Sequence, residues 1–203
     1  MKQYISPEES KTFKEKPTEI QELINTALYI LDCFGIPLEV TPRRLERTAI
    51  AFLASGNIKK FEDFKTAKDL NSGYSLKTRE IINFVNENFQ ETISSGSYDD
   101  IRRKDLKLLT IAEVVLQSSP NAATNDSTRG YSLNHTYAEL VRSFGSANWE
   151  ETVAERLKDI EPLSQKLKRE RTISKVDVTL PSGGHLSFSV GEHNDLQKAI
   201  IES

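Results

Sequence analysis

Apolar residues recur at helical spacing through Ile20, Leu23, Ile24, Ala27, Leu28, Leu31 and Phe34, with Thr18 placed to cap the segment and Gly35 and Pro37 to stop it. A second helix is predicted from Thr41, with Pro42 in its first turn, Leu45, Ala49, Phe52 and Leu53 facing inward and Gly56 just past its end. The two read as an antiparallel pair. After a short charged stretch over 59–70 and the connection Asn71, Ser72, Gly73, a third helix opens near Thr78 and turns Ile81, Ile82, Val85 and Phe89 inward. Ser94, Ser95 and Gly96 read as a tight turn. Ser97 and Asp100 form a capping-box-like start to a further helical stretch reaching about Gln117, with Ile101, Leu108, Leu109, Ala112, Val115 and Leu116 inward.

Residues 118–132 are rich in Ser, Asn, Thr, Pro and Gly and carry no period, which predicts a loop of a length usually reserved for function or disorder. Asn134 then caps a short helix showing Tyr137, Leu140, Val141 and Phe144 on one side. Asn148 and Glu151 open another, with Trp149, Val153, Leu157 and Ile160 inward. Past Arg171 the period changes to two. Val176, Val178 and Leu180 share one strand face, residues 181–184 make a turn, and Leu186, Phe188 and Val190 share a face of the return strand. A helix is expected from Asn194. A lone hairpin with part of a helix cannot bury its own apolar face, so residues 172–203 read as the incomplete start of a second domain after a helical domain over 1–171. The expected fold class is mainly α, a helix-turn-helix-type domain followed by a β-hairpin and a helix that begin a truncated α/β nuclease domain.

Composition narrows the function classes. With 37% hydrophobic and 28% charged residues in 203, the chain reads as a soluble globular protein able to fold without staples. No stretch suits a bilayer and no leader pattern opens the chain, so a cytoplasmic location and no membrane partner are expected. The single Cys33 can form neither an internal disulfide nor a CxxC metal site and is expected to fill core. A net charge of -3 speaks mildly against nucleic acid, so local clustering has to supply any attraction. Positive charge gathers at Arg43, Arg44 and Arg47, at Arg102, Arg103, Lys104 and Lys107, and at Lys166, Lys168, Arg169, Arg171 and Lys175.

Cleavage chemistry is not legible. Magnesium-dependent phosphodiester hydrolysis needs clustered carboxylates, often with a lysine, and Asp99 and Asp100, adjacent on a helix start, point apart and read as caps. His135, His185 and His193 show no paired ligand spacing, and Ser182, Gly183 and Gly184 lie between two strands as a turn does. No catalytic and no metal-binding residue is assigned. The remaining constellation is a helix near 79–92, a Ser-Ser-Gly turn and a following helix with Arg102, Arg103 and Lys104 early in it, a pairing able to lay a basic helix in a major groove. The competing reading is a helix surface covered by the aliphatic stems of these cations.

Three stretches together resemble the N-terminal part of BsuBI/PstI-type restriction endonucleases. They are residues 78–86 (TREIINFVN) with 93–106 (ISSGSYDDIRRKDL), residues 124–133 (TNDSTRGYSL) and residues 189–202 (SVGEHNDLQKAIIE), and the similarity runs from about Ile30 onward. The resemblance implies a helix-turn-helix domain ahead of a Mg2+-dependent catalytic domain, acting as a homodimer on a short palindrome in unmethylated double-stranded DNA. It implies DNA binding for this chain and cleavage, with its Mg2+, for the parent enzyme, whose carboxylates would follow Ser203. Side-chain chemistry then nominates Arg102, Arg103, Lys104 and Lys107 for phosphates or guanine edges. Arg129 and Tyr131 would reach across a groove from the long loop, with Asn125, Ser127 and Thr128 as short hydrogen-bonding groups. Arg129 paired with Asp126 or Asp99 is the structural alternative. The rival functions are a transcription regulator or antitoxin-like DNA-binding module without nuclease activity, and a helical protein-binding adaptor.

Overall fold

The computed structural model describes residues 2–119, 129–161, 163, 165–167, 175–179 and 185–189. The chain divides into two compact units, Met1–Ile160 and Glu161–Ser203. In the first, α2 (Thr18–Cys33) and α3 (Pro42–Ser55) form the expected pair, α3 entered at Pro42 with Thr41 Oγ1 accepting from the Arg44 amide. Helix α3 is the centre. Leu45, Ala49, Ile50, Phe52 and Leu53 are all buried, and its neighbours include α2, α4 (Thr78–Asn88) and the helical stretch after it.

The polar opening segment, for which the sequence pattern predicts no element, packs against this pair. Ile5 and Phe13 are fully buried, α1 (Lys11–Lys14) is capped by Ser10, and Asn25 Oδ1 accepts from the amides of Tyr4 and Ile5. Lys16 ends the segment inside the protein, 1% exposed, where its ammonium meets Glu46 at 3.3 Å, Glu91 at 2.8 Å and the Phe89 carbonyl at 2.7 Å. Arg43 closes the cluster from outside, reaching Glu46 at 2.7 Å and Glu91 at 2.6 Å. Burial opposes ionisation of Glu91, and the contacts of Arg43 and Lys16 outweigh it, holding the carboxyl below its ordinary range.

A second cluster fastens the other end of the domain. The 3-10 turn Leu70–Ser72 begins at Asp69, whose carboxylate accepts from the Ser72 amide at 2.8 Å. The same carboxylate meets His135 Nδ1 at 2.8 Å and Arg142 at 3.1 Å, tying the turn to α7 (His135–Arg142). Burial opposes the charge of Asp69, but the His135, Ser72 and Arg142 contacts prevail and lower its pKa from 3.8 to about 2. Beside α7, Trp149 opens α8 (Trp149–Leu157), donates to the Leu140 carbonyl at 2.7 Å and meets Phe144 edge-on at 5.0 Å. The Asn148 side chain makes no capping bond there, unlike Asn134, which accepts from the Thr136 amide at 3.2 Å. Cys33 is only half-buried, with its thiol pushed up chiefly by desolvation. In the second unit β3 (Lys175–Thr179) pairs antiparallel with β4 (His185–Ser189), Val176 opposite Phe188 and Val178 opposite Leu186, as the period of two requires. The expected helix from Asn194 lies outside the described residues.

Lys16→Ala leaves Glu46 and Glu91 buried with Arg43 as their remaining cation, and removal of one buried partner typically costs about 3–5 kcal/mol. Urea unfolding is expected to show a loss in that range, and a loss below about 1 kcal/mol would mean that the pocket rehydrates freely. Asp69, depressed in the folded state, contributes roughly 2–3 kcal/mol above its unfolded pKa near 4 and loses it as pH falls through about 2. The stability gap between wild type and Asp69→Asn is therefore expected to be full at neutral pH and to close toward pH 2. A pH-independent gap would contradict the assignment.

Candidate nucleic-acid interface

Helix α4 carries Ile81, Ile82, Phe84 and Val85 into the core and ends at Asn88, earlier than the sequence suggests. The connection to the next helix is correspondingly wider than a Ser-Ser-Gly turn. It runs over residues 89–97, and Asn86 pins it with two 2.9 Å bonds to the amide and carbonyl of Ile93. Phe89 is buried within it and Glu91 joins the ion cluster, so the connection is fastened to the core where it leaves α4.

The following helical stretch is α5 (Tyr98–Asp100), a π-turn over Ile101–Asp105 and α6 (Lys107–Ile111). In the π-turn the Leu106 amide donates to the Ile101 carbonyl at 2.9 Å. The turn buries Asp105 and Leu106, while Arg103 and Lys104 just before them are exposed. Asp105, 1% exposed, receives Arg47 at 2.6 Å and also Arg44. Burial pushes its carboxyl above the ordinary range, against the pull of those arginines. All three arginines of α3, which the sequence groups as a basic run, thus serve buried carboxylates.

Opposite the buried Asp105, the π-turn presents Arg102, Arg103 and Lys104 outward. Arg102 and Arg103 share Asp99, at 2.6 and 2.7 Å, and Lys104 meets Asp100 at 2.9 Å. Asp99 and Asp100, expected as caps, are therefore ion-pair partners of the cations that follow them. Lys107 is exposed and has no ion pair among the described residues.

The helix does not reach Gln117. It stops at Ile111, Glu113 takes the left-handed conformation at φ 61°, and Val115–Gln117 becomes a strand, β1. Its partner is β2 (Tyr131–Leu133), which begins inside the stretch expected to be all loop. Leu76, just before α4, bridges β2 from the other side through paired bonds of 2.8 and 2.9 Å with Tyr131. The order strand bridge, helix, helix, two-stranded ribbon is that of a helix-turn-helix with a wing. Tyr131, expected to reach across a groove, is instead 1% exposed, because pairing on both edges draws it into the core. Arg129 stands at the root of the wing and its guanidinium donates to Gln117 Oε1 at 2.8 Å; of its expected partners, Asp99 is paired with Arg102 and Arg103, and Asp126 lies outside the described residues. Burial raises the pKa of the Tyr131 phenol, against the opposing charges of Arg129 and Arg102. Asn125, Ser127 and Thr128 lie outside the described residues, as do His193, Lys168, Arg169 and Arg171.

The family model for the BsuBI/PstI restriction endonuclease HTH domain matches residues 21–165. The chain belongs to that family. It is 24% identical over 181 residues to the type II restriction enzyme BsuBI of Bacillus subtilis, covering 88% of this chain and 55% of that enzyme. The solved structure of SdaI restriction endonuclease matches with a TM-score of 0.57 at 23% identity, again over 88% of this chain and 55% of the other. This family member thus spans about half the length of the relatives it matches.

A magnesium site does not fit the carboxylates of the described residues. Among the described residues no group of three or more His, Cys, Asp or Glu is arranged to hold a metal. Asp99 and Asp100 are engaged by the helix cations, and Asp105 is buried under Arg44 and Arg47. None of the described helices is long and apolar enough to cross a membrane.

The wing root in this family member depends on a glycine. A Cβ at Gly130 would lie 2.6 Å from Ser75 Oγ and 2.9 Å from Ser75 Cβ. Gly130→Ala is therefore expected to cost about 1–3 kcal/mol by overpacking, and Ser75→Gly in the same chain to recover most of it. Equal unfolding midpoints for wild type and Gly130→Ala would show that the ribbon shifts without cost.

Proposed function

We propose that this chain is the double-stranded-DNA recognition portion of a type II site-specific restriction endonuclease acting in the cytoplasm. The observation that carries the reading is the row of Arg102, Arg103 and Lys104 on the second helix of the pair, held by ion pairs with Asp99 and Asp100 of the same helical stretch. Together with Lys107 and, at the wing root, Arg129, they supply a positive track on a protein of net charge -3, so attraction to phosphate is local rather than global. The Asp99 and Asp100 pairs do not forbid it. Arg103 is 67% exposed, and surface ion pairs of this kind are worth about 0–1 kcal/mol. Phosphate oxygens can therefore take over the arginines from Asp99 at little cost.

Residues 172–203, with the β3–β4 hairpin, are in this reading the start of the catalytic domain, after a recognition domain over 1–171. The full enzyme hydrolyses phosphodiester bonds of an unmethylated palindrome with Mg2+ and works as a homodimer, since a two-fold site calls for a two-fold protein. That the matched relatives extend well beyond the shared stretch supports the assignment.

Binding of a fluorescein-labelled mixed-sequence duplex is expected to weaken steeply with salt. In the variant with Arg102, Arg103 and Arg129 all replaced by alanine, the slope of log K against log salt should be shallower by about 0.9 for each phosphate that is no longer neutralised. An unchanged slope would refute the assignment of these residues.

A further inference from the structure

Two residues at the corner of α4 and α5 have no evident part in holding the fold together. Arg79, second residue of α4, is exposed and has no carboxylate partner among the described residues, whereas Arg102, Arg103 and Lys104 each have one. Its guanidinium carbon lies 5.1 Å from the centre of the Tyr98 ring. Tyr98 is 45% exposed, a rare state for a large ring in this protein, shared among the described residues only with Val40 and Phe61 as large apolar side chains. Its hydroxyl makes no hydrogen bond among the described residues. Tyr98 also precedes Arg102 by four positions, so the ring and the first cation of the π-turn lie toward the same side of the helix.

We propose that Arg79 and Tyr98 form a preorganised clamp for a DNA backbone phosphate, extending the row of Arg102, Arg103 and Lys104 across to α4. Arg79 is the contact and Tyr98 the positioning residue. Stacking on an aromatic face leaves the guanidinium edge, with its fork of N–H donors, free for a phosphate oxygen pair. The ring restricts a flexible side chain before DNA arrives, so less ordering remains to be done on binding. Having no carboxylate to displace, Arg79 binds phosphate without the exchange that Arg102 and Arg103 undergo with Asp99. This inference rests on the DNA-binding reading above and adds to it a contact that sequence spacing does not reveal.

The test is salt-dependent binding of the full chain to the same mixed-sequence duplex. Arg79→Ala is expected to lower affinity severalfold at low salt and to make the slope of log K against log salt shallower by about 0.9, one phosphate. Tyr98→Phe, which keeps the ring, should bind as wild type does. Tyr98→Ala should lose affinity, and Arg79→Ala combined with Tyr98→Ala should be no weaker than Arg79→Ala alone. Both side chains are exposed, and unchanged thermal unfolding of the variants establishes that folding is intact. Wild-type binding with an unaltered slope in Arg79→Ala overturns the clamp and leaves the DNA reading standing. Equal losses in Tyr98→Phe and Tyr98→Ala overturn the positioning role, since the hydroxyl itself would then be the contact. No retention of duplex by wild type at low salt overturns the DNA reading and the clamp with it.

Discussion

The buried carboxylate of Asp105 under Arg44 and Arg47 is the contact around which the half of this domain that carries the π-turn is organised. An ionised group out of water demands partners, and these arginines come from the central helix α3. The π-turn that ends at Asp105 also carries Arg102, Arg103 and Lys104, between the buried Ile101 and the buried Asp105. The carboxylate that anchors this turn to α3 thereby fixes the place of the three cations.

The Lys16, Glu46, Glu91 and Arg43 cluster does comparable service one layer away. Glu91 belongs to the connection between the two helices of the pair, Glu46 to α3 and Lys16 to the opening segment. A hydrophobic replacement of similar shape would hold these parts together as well or better. Charges add direction, because each carboxylate accepts only from donors correctly aimed, and so the wide connection keeps one path despite its length.

Legibility in the sequence follows the range of the interactions. Helices α2 and α3 and the β3–β4 ribbon are readable, because stop residues, a clean period and the Thr41 cap of α3 are local signals, whereas Thr18, expected to cap α2, is its first residue behind Pro17 and makes no capping bond. Val115–Gln117 reads as helix although it is strand, because Val and Leu suit either state and the stop is a left-handed Glu113 that has no residue signature. Tyr131 sits among Arg129, Gly130 and Ser132, a polar setting that looks like loop, and only its pairing with Leu76 and Gln117 makes it core. The arginines of α3 resemble a solvated or DNA-facing run since their carboxylates lie 48 to 61 positions away, or within a helix turn at a buried Glu46. Of the candidate site, the charged residues of the π-turn are legible as types. The pairing of Arg79 with Tyr98, nineteen positions apart across a turn, is not.

The strand Tyr131–Leu133 has neighbours on both sides, β1 along one edge and Leu76 at the other. With Ser118 and Gly130 also joined by a 2.9 Å backbone bond, the two ends of the intervening segment are fixed independently of what lies between them. Closure entropy rises only with the logarithm of loop length, about 0.6 kcal/mol per doubling. Insertions and deletions between these anchors are accordingly inexpensive, which gives a protein of this architecture a place to change the reach of its wing over evolutionary time without rebuilding the scaffold beneath it.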